Sequence, residues 1–144
     1  MSHAKVTAHV KITVGTLEFL ARFEEAAAPR TCTAFRSLMP FERRLLQARW
    51  SGEAAWVPLG DLRLNVPLEN ATSHPSRGDI LFYPGGVSET ELLVPYGATR
   101  FASRVGQLAG NHFLTVTAGL ERLPELGRLV VWQGAQTISI ESVQ

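Results

Sequence analysis

The sequence predicts a mainly β domain, an antiparallel barrel or sandwich, on three observations. At least eight apolar stretches of strand length recur along the chain, bounded by Gly, Pro, Asn and Ser turn signals. The first two of them alternate apolar and polar residues without interruption. Helical spacing is confined to one clear segment and one short one. Length and composition fit a single domain over residues 1–144: 45% hydrophobic and 19% charged residues allow a full core and are too apolar for disorder. A closed barrel would also leave no strand edge exposed.

The elements follow in order. Lys5–Val14 puts Val6, Ala8, Val10, Ile12 and Val14 on one face, and Thr16–Glu24 does the same with Leu17, Phe19, Ala21 and Phe23. Gly15-Thr16 between them suits a type II′ hairpin, with Ile12 opposite Phe19 and Ala8 opposite Phe23. Pro29–Met39 reads as a helix: proline fits the first helical position, Cys32, Phe35, Leu38 and Met39 keep helical spacing, and Pro40 ends it. Leu45–Trp50 reads as a strand with Leu46, Ala48 and Trp50 on one face and Leu45, Gln47 and Arg49 on the other. Ser51-Gly52 breaks it and Glu53–Leu59 resumes it. Asn65–Asp79 is a long loop, of a length that is functional or mobile. Asp79–Tyr83, Thr90–Tyr96, Phe101–Val105 and Phe113–Thr117 are expected strands, with Pro84-Gly85-Gly86 a turn. Leu120–Leu126 is expected as a short helix ended by Gly127, and Leu129–Trp132 and Thr137–Ile140 as the last strands.

Composition narrows the partners. Fourteen basic and thirteen acidic residues give a net charge of +1 with no like-charged run, so nothing points to nucleic acid or an anionic membrane. The single cysteine, Cys32, excludes an internal disulfide and reads as a small buried hydrophobe, a reactive thiol at a helix start being the lesser alternative. The four histidines, His3, His9, His74 and His112, show no metal-ligand spacing, so neither a metal nor a cofactor is expected. The N-terminus has no apolar signal region and no run is long enough for a membrane helix, so a cytoplasmic protein is expected.

The chemistry gathers in Glu91–Phe113, where Arg, Tyr, Asn, His and three glycines come together around a Pro95-Tyr96-Gly97 turn and a Gly106–Gly110 loop. Tyr96-Gly97 reads as a turn whose hydroxyl becomes a ligand donor if it faces a cleft. His112, beside Asn111, is a structural residue or a general base. Glu89 and Glu91 share a strand face and could act as paired carboxylates, although such pairs on an exposed face are usually only solvated. Glu69-Asn70 reads as turn chemistry. Arg49, beside Trp50, is an anion or carbonyl anchor or half of an ion pair with Glu18 or Glu91.

Three landmarks resemble the cyclophilins: the opening hairpin with Ala28-Pro29-Arg30-Thr31-Cys32-Thr33-Ala34-Phe35-Arg36-Ser37-Leu38, Arg49 on the next strand, and Gly106–Val116 followed by a short helix and Leu129-Val130-Val131-Trp132. Ala48–Ala54, Glu69–Thr72, Pro95–Gly97 and Ala109–Phe113 are similar to a bacterial family of cyclophilin-like proteins of unknown function. The resemblance implies a closed antiparallel eight-stranded barrel with one or two short helices. It also implies that Arg49 takes the place of the family's active-site arginine. Ala54, Ala55, Val57 and Leu114 stand where a prolyl isomerase lines its proline pocket, His112 replaces a glutamine and Leu129 the late histidine. A lone arginine cannot hold the twisted prolyl bond, so no isomerase activity is expected.

The expected function is small-ligand binding, to an anionic or carbonyl-containing molecule, in a cleft around Arg49, Trp50, Tyr96, Gly97, Asn111 and His112. The alternatives are an enzyme for a small polar metabolite with His112 or Glu91 as acid or base, and an interaction or homo-oligomer scaffold using exposed aromatics.

Overall fold

The computed structural model describes residues 8–143. Lys5–Thr7 of the first expected strand, and His3, lie outside them. β1 (His9–Val14) and β2 (Leu17–Phe23) form the opening hairpin, with Ile12 opposite Phe19 and the Phe23 amide donating to the Ala8 carbonyl. Gly15 takes φ +61° while Thr16 does not enter positive φ, as the II′ turn requires.

α1 spans Pro29–Arg36 and stops three residues before the expected end. Cys32 and Phe35 are fully buried, whereas Leu38 and Met39 pack only partly on the core. β3 (Phe41–Gln47) carries a correction: the strand starts earlier, ends before Arg49, and buries Phe41 and Leu45 rather than Leu46 and Trp50. Arg49–Ser51 is a 3₁₀ turn leading into β4 (Gly52–Gly60). β5 (Ala71–Thr72) interrupts the long loop, and β6 (Asp79–Tyr83) follows it.

β7 (Thr90–Thr99) runs straight through Pro95-Tyr96-Gly97, which is therefore no turn. Proline is tolerated there because it lies at a β-bulge in the β4 pairing. Of the expected strand over 101–105, only β8 (Ala102–Ser103) forms; it pairs with β9 (Gly106–Gln107) as a small ribbon where a loop was expected. β10 (Gly110–Ala118) begins early enough to include Asn111 and His112.

A 3₁₀ turn at Leu120–Arg122 leads into α2 (Leu123–Gln133), so Leu129–Trp132 is helix, not strand. Val130, Val131 and Trp132 favour strands by type. Leu123, Leu126, Gly127 and Val130 nevertheless all bury on one helical face, and that packing overrides the local preference. β11 (Gln136–Val143) completes the chain.

Eight antiparallel strands close in the order β2-β1-β11-β3-β4-β7-β6-β10, with β10 returning to β2. β6 occupies one edge of β10; the other is shared by β5 at Gly110–Asn111 and β2 from Leu114 on. The barrel is filled by one apolar core to which both helices contribute. The Phe35 ring sits 5.0 Å from that of Phe113 and 5.1 Å from that of Phe41, with Phe23 beside it at one end of β2. Leu129 of α2 lies against Gly15, at the other end. Among the described residues no helix is long and apolar enough to cross a membrane.

Alternation also creates an outer layer. On β4, β6 and β7, Ala55, Val57, Ile80, Phe82, Leu92 and Val94 face the barrel interior. Ala54, Leu81 and Leu93 face outward and are buried under Phe101 and Leu108. The segment between β7 and β10 is thus folded back over the barrel wall.

Candidate functional site

At the rim of this outer layer lies a pocket of about 350 Å³ lined by Trp50, Trp56, Ser88, Glu89, Glu91, Ser103 and Arg104. Several local structures hold it open. The Ser51 hydroxyl donates to the Ala102 carbonyl at 3.2 Å and accepts from the Ala102 amide at 3.0 Å, stapling the turn that bears Trp50 to the ribbon that bears Ser103 and Arg104. The Tyr83 hydroxyl accepts from the amides of Val87 and Ser88, which fixes the loop carrying Ser88 and Glu89. The indoles of Trp50 and Trp56 meet edge to face, centroids 5.4 Å apart at 79°.

Glu91 is the exception in this pocket. It follows the parity of Leu93, so it faces the outer layer, opposite Tyr83 and Pro58 on the neighbouring strands. It is 2% exposed, and its Oε2 has no hydrogen-bond partner. Burial, and secondarily the charge of Glu89, push its pKa up to about 8. The expected exposed carboxylate face is therefore corrected: Glu89 lies before β7, is exposed and accepts from the Gly60 amide at 3.1 Å, while Glu91 is buried and unsatisfied. A buried polar atom without a partner calls for an explanation, and the residue that carries it is part of the pocket lining. Trp56, Ser88, Ser103 and Arg104 were missed in the sequence because they reach the pocket from separate segments.

The other expected site residues are dispersed. Arg49 is exposed on its turn, with no ion pair to a described residue, to Glu18 or Glu91 in particular. Tyr96 and Gly97 line a second, shallower cleft of about 470 Å³ along α2, with Glu53, Arg77, Arg128 and Trp132. Burial raises the Tyr96 phenol above its ordinary pKa; its hydroxyl donates to Gln47 at 2.8 Å, and Arg49 acts on it from nearby, both opposing that rise. Gly97 has no side chain because the Glu53 carboxylate lies on it, accepting from the Ala98 amide at 2.8 Å.

Asn111 is fully buried and wholly satisfied. Its amide donates to Thr31 Oγ1 and to the Pro67 carbonyl, and its oxygen accepts from the Glu69 amide. Glu69 in turn accepts from the Thr31 amide and hydroxyl, supplying from a distant loop the cap that Ala28 cannot give α1. Asn111 therefore pins the long loop to the helix. Asn70 sits at φ +52° and donates to the His112 carbonyl.

His112 faces the outside of the barrel in neither cleft. Its Nε2 lies 2.8 Å from Thr115 Oγ1 and 3.6 Å from Asp79 Oδ1. Thr115 gives its one proton to Glu24 at 2.5 Å, so Nε2 must be the donor to Thr115. That same hydrogen bond lowers the Glu24 pKa. Cys32 is buried, its thiol pushed up to about 12 by desolvation and then by Glu69. Among the described residues no three His, Cys, Asp or Glu side chains are grouped to hold a metal ion.

Comparison with known proteins places the chain. A family described as protein of unknown function (DUF3830) matches residues 10–142. The structure of McbB in complex with tryptophan is similar at a TM-score of 0.67 and 16% identity, over 92% of this chain and 44% of that one. The chain thus spans less than half of McbB. The solution structure of the hypothetical protein AF2241 from Archaeoglobus fulgidus gives a TM-score of 0.61 at 16% identity, over 99% of this chain and 100% of that one. Likeness at this level of identity is a likeness of fold. No curated protein matches by sequence.

Proposed function

The chain belongs to the DUF3830 family, and from its geometry we propose that it binds a small ligand in the pocket bounded by Trp50, Trp56 and Glu91. The observation that carries this reading is the Glu91 carboxyl: 2% exposed, one oxygen unpartnered, and on the lining of a pocket of about 350 Å³. Pockets that orient ligands combine apolar walls with a few converging polar groups. Two indoles and a buried carboxyl match that description better than the shallower cleft along α2, where Glu53 is already satisfied. A protein of the same fold was solved with tryptophan, which makes amino-acid-sized molecules the first class to screen.

We infer that the barrel is cyclophilin-like, on the motifs in Ala28–Leu38 and Gly106–Val116 and on the closed eight-stranded ring. It lacks the proline pocket of a prolyl isomerase. Ala55, Val57 and Leu114 point into the barrel core and Ala54 into the outer layer, all fully buried, so none lines a surface pocket for a proline ring.

A second reading, catalysis, rests on the same carboxyl. With a pKa near 8, Glu91 holds a proton at neutral pH and could deliver it to a bound substrate.

Thermal-shift screening of a metabolite library against wild type, Glu91→Gln and Arg49→Lys tests the location. Hits weakened by Glu91→Gln and kept by Arg49→Lys are expected. Hits lost with Arg49→Lys but indifferent to Glu91→Gln would move the site to Arg49.

A further inference from the structure

We propose that the pocket selects a small organic amine, its ammonium group directed at Glu91 and its body packed against the wall that Trp50 and Trp56 form together. The inference rests on the ligand-binding reading above and adds the charge of the ligand.

Three features of the lining favour a cation. The first is acidic content: Glu91, buried, and Glu89, exposed, are the acidic groups on the lining. Glu89 already accepts from the Gly60 amide and is exposed to solvent, so it contributes charge more than a free acceptor. Glu91 has a free oxygen and is shielded from solvent. The second is the pair of indoles, whose electron-rich faces attract ammonium groups more than any other aromatic side chain does. Trp50 is 49% exposed, a large apolar surface left open beside the pocket. The third is the absence of a resident cation at Glu91. Arg104 also lines the pocket, but among the described residues it forms no ion pair with Glu91 or any other carboxylate. It sits on the exposed turn of the β8–β9 ribbon.

An anion would meet the Glu89 carboxylate and the indole faces and could not pair with Glu91, leaving Arg104, on the exposed turn, as its one attraction. A neutral ligand could accept the Glu91 proton in a hydrogen bond but would leave the aromatic walls and Glu89 unused electrostatically. An ammonium group satisfies all three, and its arrival makes Glu91 ionise. Glu91 is protonated at neutral pH, so binding of an amine at pH 7 transfers a proton from the carboxyl to the buffer: the O–H bond breaks and the carboxylate pairs with the ligand N–H.

The experiment uses three probes of matched shape: phenethylamine as the cation, 2-phenylethanol as the neutral isostere and phenylacetate as the anion. Titration calorimetry at pH 7 on the full chain is expected to give phenethylamine at least tenfold tighter than 2-phenylethanol, with phenylacetate undetected. Repeating it in phosphate and Tris, whose ionisation enthalpies differ, should show release of close to one proton. Glu91→Gln should abolish both the preference and the release, and Trp50→Ala, at a half-exposed position, should weaken the amine several-fold. Melting curves verify that both variants fold. The amine assignment is overturned if the alcohol or the acid binds as tightly as the amine, if the preference survives Glu91→Gln, or if no probe binds. In the first of these cases, binding that still depends on Trp50 leaves the pocket in place as a site with a different ligand class. The library screen decides independently whether the pocket is a site at all.

Discussion

The ring of Tyr96 lies directly on the backbone of Gly127, so close that a β-carbon on the glycine would overlap Cδ1 and Cε1. This contact couples β7 to the middle of α2. It explains why a glycine is kept inside a helix, where it costs about 1 kcal/mol relative to alanine.

Gly127→Ala is therefore expected to destabilise the protein by roughly 1–3 kcal/mol, the overpacking outweighing the gain in helix propensity. In a Tyr96→Leu background the same change should cost far less. Urea unfolding of the four proteins checks this; an equal cost in both backgrounds would exonerate Tyr96.

Glu91 makes stability depend on pH with a definite sign. Its folded pKa, about 8, lies above the ordinary carboxyl value of 4.5, so between those values the folded chain keeps a proton that the unfolded chain has lost. Its contribution is full below about pH 4.5 and is lost as pH rises through 8. Relative to Glu91→Gln, wild type should lose roughly 1.4 kcal/mol per pH unit across that window. Parallel denaturation curves at pH 5, 6, 7 and 8 measure the difference. A pH-independent difference would mean that Glu91 is already ionised in the folded state.

Asn111→Ala strands the Glu69 amide and the Pro67 carbonyl and removes a partner from Thr31. Buried groups left unsatisfied cost about 1–3 kcal/mol each, so a loss of roughly 2–4 kcal/mol is expected. Faster proteolysis between residues 61 and 78 should accompany it. Unchanged cleavage there would show that the loop is held by something else.

Prolyl isomerase activity is expected to be absent because Ala54, Ala55, Val57 and Leu114 are committed to packing. A protease-coupled peptide assay should stay well below about 10⁴ M⁻¹s⁻¹, the lower range of ordinary enzymes; a value at or above it would refute this.

The chain by itself determined the parts that depend on neighbours in sequence. Alternation from Val10 to Val14 and from Leu17 to Phe23, with Gly15 between, specified a hairpin and its register, because side chains on a strand repeat every two residues. Pro29, Cys32 and Phe35 announced α1 in the same way, through helical spacing and a proline start. Glu91 and Trp50 could be named as site candidates from residue type.

Tertiary structure decided what lies over each face. Val130, Val131 and Trp132 read as strand until the one-sided burial of Leu123, Leu126 and Val130 made them helix. Asn111 read as a ligand donor until Thr31, Glu69 and Pro67, distant in sequence, took all its hydrogen bonds. Arg49 and Trp50 read as strand until Ser51 tied their turn to Ala102. Glu91 read as solvated until the chain after β7 folded back over its face, with Phe101 and Leu108 covering Leu93 beside it. Desolvation is set by non-local packing, and it is desolvation that keeps this carboxyl protonated at neutral pH.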